Sequence, residues 1–242
     1  MIFKTGRLFV GGYDLTNGLQ RISLGATLDE KETSHAGSAG MRQSDAGIEQ
    51  AEFSCGLLYS DNNVDAPGDA LFALQGDAGV PLAFALGSAA AGDLAWLFLS
   101  TAFRAPKDLR VGEPATITAE GRSSSGPLVR GRVMLNLTRS VTGATNNGTA
   151  VNLGAALSSQ RVYLVVHVGA ASAALATTFK LQSAPASNFA SPTDRVTLTP
   201  AGPNGAAWGS LAGPVTDTWW RVVDTVTGSA PTVPLFVAAG IR

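Results

Sequence analysis

Cysteine is all but missing from this chain. Cys55 is the only one, so no intrachain disulfide can form and no Cys-x-x-Cys redox or zinc pair exists. It falls at an apolar strand position, where a thiol reads as buried and inert. Histidine is nearly as scarce, with only His35 and His167. Neither has a second His or Cys at ligand spacing, so both read as structural side chains. No GxSxG, HExxH or Walker sequence occurs. The glycine-rich piece Gly37-Ser38-Ala39-Gly40 lacks the strand-to-helix setting that phosphate binding needs. No catalytic residue, metal or cofactor is therefore expected, and the chain does not read as an enzyme.

Charge is short too. Charged residues make up 14% of the chain and the net charge is −1, against roughly 25% charged residues in an average soluble domain. That excludes a global basic footprint for nucleic acid. No apolar run reaches membrane-span length. Residues 80–99 come nearest, but Gly87, Gly92 and Asp93 interrupt them, so no membrane insertion is expected. The opening MIFKTGRLFVGG has too short an apolar stretch for a signal peptide, so folding in a cytoplasm is expected.

What the chain does have is 45% hydrophobic residues and 28 glycines in 242 positions. That length allows one large β domain or two small ones. A surface so poor in charge follows either from coverage by other subunits or from a genomic bias toward Ala and Gly. The organising stretch is residues 19–60. LQRISLGATLDEKETS leads into the polar loop HAGSAGMRQSDAG, and IEQAEFSCGLLYS follows. Alternation on both arms predicts a hairpin of two strands longer than the usual 5–6 residues. Long arms around a glycine-rich loop point to an element that reaches a neighbouring subunit.

The rest of the first half reads as a short strand at 7–10, turns at 11–18, a short helix near 65–74, and strands at 80–86, 94–103, 114–120 and 128–137. Lys107, Asp108 and Leu109 fall in a polar loop. Residues 140–148 (SVTGATNNG) are poor in core formers and predict a linker between domains 1–139 and 149–242. The second half predicts strands at 161–168, 175–182, 195–199, 207–211, 218–226 and 233–239, a β-sandwich of jelly-roll or immunoglobulin-like type. The fold class is thus mainly β. Trp208, Trp219 and Trp220 are its expected anchors. Adjacent strand residues face opposite ways, so one of Trp219 and Trp220 must point outward as a contact residue or lie under a loop.

One charge pattern stands out. Between Asp29 and Glu52 lie six acids and two bases, Lys31 and Arg42. With the arms paired, Asp29, Glu30, Glu32, Glu49 and Glu52 gather toward one end of the hairpin. A ring of such hairpins makes a negative collar that repels passing DNA phosphates. The plain alternative is a solvated hairpin end.

Here the residues carry a family resemblance. The succession Asp14-Leu15-Thr16-Asn17-Gly18-Leu19, Glu32-Thr33-Ser34-His35-Ala36-Gly37, Met41-Arg42, Ala46-Gly47-Ile48 and the helix DALFAL at 69–74 resembles the tail tube protein of long-tailed bacteriophages, from about Arg7 to Leu137. The resemblance implies a virion structural protein. Its rings, hexameric or built from three two-unit chains, stack into a tube. Hairpin arms line a channel for DNA in transit, and a loop (here Gly37, Gly40, Met41, Arg42 and Gly47) contacts the next ring. Other tail proteins are the implied partners, and the implied location is the virion tail, after synthesis in the host cytoplasm. The second half resembles an added outer β-domain. The rival readings are a capsid decoration or head–tail connector protein, and a glycan-binding module using Trp219 or Trp220.

Overall fold

A computed structural model describes residues 5–32, 44–59, 67–77, 79–100, 102–108, 111–123, 126–230 and 232–242. Strand β1 (Gly6–Val10) turns through Gly11 and Gly12 into β2 (Tyr13–Asp14). A 3-10 turn (Thr16–Gly18) follows. Thr16 anchors it by accepting the Leu8 N–H at 3.1 Å and donating its own N–H to Asp14 Oδ1 at 3.0 Å. The expected long hairpin is present as β3 (Leu19–Glu32) and β4 (Ser44–Leu58), with Leu19 opposite Leu57 and Glu32 opposite Ser44. Helix α1 (Pro67–Ala73) comes next, then β5 (Val80–Leu86), β6 (Leu94–Ser100), β7 (Ala102–Arg104), β8 (Lys107–Asp108), β9 (Thr116–Ser123) and β10 (Val129–Ser140). The second half adds β11 (Thr145–Asn147), β12 (Val151–Asn152), β13 (Arg161–Val168), β14 (Leu175–Ala184), β15 (Thr193–Leu198), β16 (Gly205–Ala212), β17 (Trp219–Gly228) and β18 (Thr232–Ile241).

These strands build three sheets. An eight-stranded sheet runs β16-β13-β18-β10-β6-β5-β1-β2 and so draws on both halves of the chain. A ribbon sheet runs β3-β4-β9-β7, with β8 also on β9, and an outer sheet runs β11-β17-β14-β15, with β12 also on β17. The apolar run 94–103, expected as one strand, is two. Strand β6 joins the long sheet and β7 the ribbon sheet, so one stretch serves both layers. Lys107 and Asp108, expected in a loop, pair with Ile117 and Thr116.

Three apolar clusters fill the spaces. Leu8, Leu82 and Phe98 of the long sheet meet Phe53, Leu57 and Ile117 of the ribbon sheet, with Leu71 of α1 beside them. At the other end, Leu164, Val166 and Val237 meet Phe179, Leu181 and Trp220 of the outer sheet. The third cluster lies on the opposite face of the long sheet and includes Phe9, Leu97, Tyr163, Val165 and Phe236. Both faces of β13 are therefore covered, which is why it reads as the near-continuous apolar run VYLVVHV. The long sheet curls until its ends touch. Phe9 stacks on Phe236 with centroids 4.1 Å apart, and the Gly12 N–H donates to His167 Nδ1 at 3.2 Å. Gly12 has φ +97, and a Cβ there would lie 2.2 Å from the Asn204 carbonyl oxygen.

The segment 140–148, read from sequence as a linker, carries β11, paired to β17, and the Gly148 N–H donates to Val222 O at 2.7 Å. Its pairing comes from a strand nearly 80 residues downstream, which Thr-Asn-Asn by itself does not announce. On either side of this segment the chain shares the long sheet, because β10 pairs with β6 along one edge and β18 along the other. Beside it sits a buried ion pair. Asp224, fully buried, accepts two bonds from Arg139 at 2.9 and 2.8 Å and one from Asn146 Nδ2 at 3.3 Å. The bond to Asp224 raises the pKa of Arg139.

Candidate assembly interface

The sheet order leaves β3 at an edge. Among the described residues, β4 is its only strand partner, and its outer edge is unpaired. On the far side of β4, among the described residues, only Ala51–Leu58 pair with β9, so residues 44–50 extend past the last described pair, Ala51 with Ser123. From Ile22 to Leu28 the edge strand carries no charge and no proline, the two commonest devices that protect an edge from pairing. Ser23, Gly25, Ala26 and Thr27 are exposed, and Ile22 and Leu24 are half-buried against the ribbon core.

The two faces of the ribbon differ. Along β4, Ala51, Phe53, Cys55 and Leu57 are buried, while Glu52 and Leu58 are exposed. Burial pushes the Cys55 thiol up to about 12, so it stays protonated and unreactive at neutral pH. Glu49 and Glu52 are three residues apart and face opposite ways. Glu49 shares the inward phase, and its Oε2 accepts from Arg242 Nη2 at 2.5 Å. Arg242 Nη1 donates to Leu128 O. Glu52 lies on the outer face, 3.3 Å from Arg122 Nε. Next to it Arg104 and Glu120 pair at 2.6 Å. These cross-strand pairs follow from register, since Glu52 lies opposite Arg122 and Arg104 opposite Glu120.

With Ser23, Gly25 and Asp77, the four charged residues line a groove of about 610 Å³. Its wall carries three acids and two arginines. The expected single-sign collar is thus corrected at its described positions: Glu49 is tied to the chain's own Arg242, and Glu52 is balanced by Arg122. Sequence reading missed both arginines, although the odd spacing of Glu49 and Glu52 already put them on opposite faces. Glu30 lies opposite Ala46 and Glu32 opposite Ser44, while Asp29 falls at the irregularity between Leu28 and Glu30 where the register shifts. Gly47 falls within β4. Gly37, Gly40, Met41 and Arg42, with His35, lie outside the described residues.

Of the tryptophans, Trp220 is fully buried and its indole N–H donates to Gly154 O at 2.9 Å, which removes it as an outer contact. Trp219 is the outward member of the pair and is half-buried. His167 is buried in the third cluster against Phe9 and Phe236. Desolvation lowers its pKa to about 3, so the ring is neutral, with Nδ1 as acceptor and the proton on Nε2. Among the described residues no group of three or more His, Cys, Asp or Glu side chains is placed to hold a metal, and no helix is long and apolar enough to cross a membrane.

No protein-family model and no curated protein matches the chain. Among solved structures it is similar to the SPP1 Dit protein, described as a paradigm of the hub adsorption apparatus in phages infecting Gram-positive hosts. The identity is 15% and the TM-score 0.38, over 99% of this chain and 100% of that one. It is also similar to infectious bursal disease virus VP2 in its subviral particle, at 12% identity and a TM-score of 0.32, over 98% of this chain and 55% of that one. A third likeness is to the Gt strain of that virus, at 11% identity and a TM-score of 0.30, over 91% and 72%. With TM-scores below 0.5, none of the three bears on function.

Proposed function

We propose that the chain is a virion structural protein: a non-enzymatic subunit of a phage tail that closes into rings around a channel for DNA. The observation that carries this reading is the unpaired outer edge of β3. Its stretch from Ile22 to Leu28, free of charge and of proline, is a template for strand addition. The other side of the ribbon sheet ends in the short β7 and β8, so the two edges differ. A contact that joins unlike edges is heterologous and closes into a ring when its rotation allows. The sequence resemblance to tail tube proteins over residues 7–137 agrees with this arrangement. In such a ring the outer face bearing Glu52, Arg122, Glu120 and Arg104 faces the channel. Its mixed charge lets DNA slide past without retention, because neither sign dominates the wall.

Negative-stain images of the purified protein test the reading. Stacked rings or tubes support a tube subunit, and trimers or discrete adaptors support a capsid decoration or head–tail connector protein instead. A monomer at micromolar concentration, with no rings or tubes, overturns it. Gly25→Pro and Ala26→Pro, made separately because N–H groups alternate in direction along a strand, are expected to differ. The one that removes an outward N–H abolishes assembly while the chain still unfolds cooperatively.

A further inference from the structure

The outer sheet carries a cation that its own half of the chain cannot neutralise. From Thr145 onward the sequence has three acids, Asp194, Asp217 and Asp224. Each is engaged elsewhere: Asp194 with Lys180 at 2.7 Å, Asp217 with Arg195 at 3.1 Å, and Asp224 with Arg139 at 2.8 Å. Arg221 is left over. Among the described residues no carboxylate pairs with it.

Arg221 is nonetheless held in place. Its guanidinium lies 4.5 Å from the centroid of the Phe189 ring, and its Nε donates to Gln182 Oε1 at 2.9 Å. Gln182 is fixed in turn by donating to Asp194 Oδ1 at 2.6 Å. Phe189 is almost fully buried and has φ +50, a left-handed conformation that is costly for a bulky residue and persists only where the surroundings impose it. The result is a planar cation stacked on one face and hydrogen-bonded at Nε. Its two Nη groups make no hydrogen bond to the described residues. That free fork matches a carboxylate or a phosphate. Trp219, half-buried, is two positions back on the same face of β17, roughly 7 Å along the strand. A half-buried indole and an oriented anion-binding fork on one face of one strand offer what a charged sugar requires: an apolar ring face to stack on and a bidentate partner for its acidic group.

We propose that Trp219 and Arg221, supported by Phe189 and Gln182, form a binding site for an acidic saccharide on the outer sheet. The site is independent of the β3 edge, so it stands or falls separately from the assembly reading. The test is calorimetric titration of the full chain with an oligogalacturonate, its methyl ester and a phosphorylated maltooligosaccharide, with Trp fluorescence recorded in parallel. The free uronate, the phosphorylated sugar or both should bind and perturb the emission, and which one binds names the acidic group. Esterification should weaken uronate binding at least tenfold. Arg221→Lys keeps the charge but loses the fork, and should weaken binding at least tenfold with an unchanged Tm. Trp219→Ala should do the same. Absence of binding to both acidic sugars, equal binding of the ester, or unchanged binding by Arg221→Lys overturns the proposal.

Discussion

Arg242 and Glu49 are 193 positions apart in sequence and 2.5 Å apart in the fold. The backbone of Arg242 is fixed against Arg161, exchanging bonds of 2.6 and 2.9 Å, and its second Nη holds the Leu128 carbonyl. The strand that completes the long sheet is thereby fastened to the ribbon at the point where β4 passes the end of β9.

Charge reversal should separate the two ribbon acids. Glu49→Lys sets a cation against Arg242 at a site where the carboxylate is only 25% exposed, and should cost about 1–3 kcal/mol. Glu52→Lys acts on an exposed pair and should stay within about 1 kcal/mol. Urea unfolding of the two variants checks this, and equal losses would contradict the opposite-face geometry.

The Arg139–Asp224 pair should behave as a buried ion pair does. Asp224→Leu alone strands a guanidinium and should cost about 3–5 kcal/mol, whereas Arg139→Met combined with Asp224→Leu should cost far less than the two single changes added together. A double-mutant cycle measured by denaturant unfolding gives the coupling. Additive losses would show that the pair contributes no coupling.

His167 makes stability depend on pH. Its folded pKa of about 3 lies below the ordinary 6.5. Between those values the unfolded chain takes up a proton that the folded chain refuses. The contribution is complete above pH 6.5 and is lost as pH falls, by at most about 1.4 kcal/mol per unit, levelling off near pH 3. His167→Gln keeps an acceptor in reach of the Gly12 N–H and should flatten this part of the profile. Thermal unfolding of both proteins from pH 7 to 4 checks the sign and the slope.

Glycine substitutions should be graded by surroundings. Gly12→Ala meets both a positive φ and a backbone carbonyl that cannot yield, and should cost about 3 kcal/mol or more. Gly25→Ala has nothing within 4 Å of the new carbon and should change stability by no more than about 0.5 kcal/mol. Comparing their melting temperatures tests whether the ends of the long sheet really meet at Gly12.

Local pattern made much of this legible in the chain. Residues 80–86 and 161–168 become strands with the boundaries their sequence implies, the long hairpin forms with its arms paired, and α1 lies inside the expected 65–74. Burial of Cys55 also followed from the phase of its neighbours. These features depend on residues within one or two turns or pleats of each other. The tryptophan pair was half legible: alternation required one to turn outward, and only the indole bond of Trp220 to Gly154 decided which.

What the tertiary structure alone decided is which strands meet. Strands β11 and β12 have almost no apolar signal and exist because β17 offers them an edge. The sharing of one sheet by both halves, the contact of Gly12 with His167, and the capture of Glu49 by Arg242 join residues more than ninety positions apart. Strand alternation sets which face a side chain takes. The partner across that face comes from the global packing of three sheets, where burial of every apolar stripe at once selects one pairing from many that are locally equivalent.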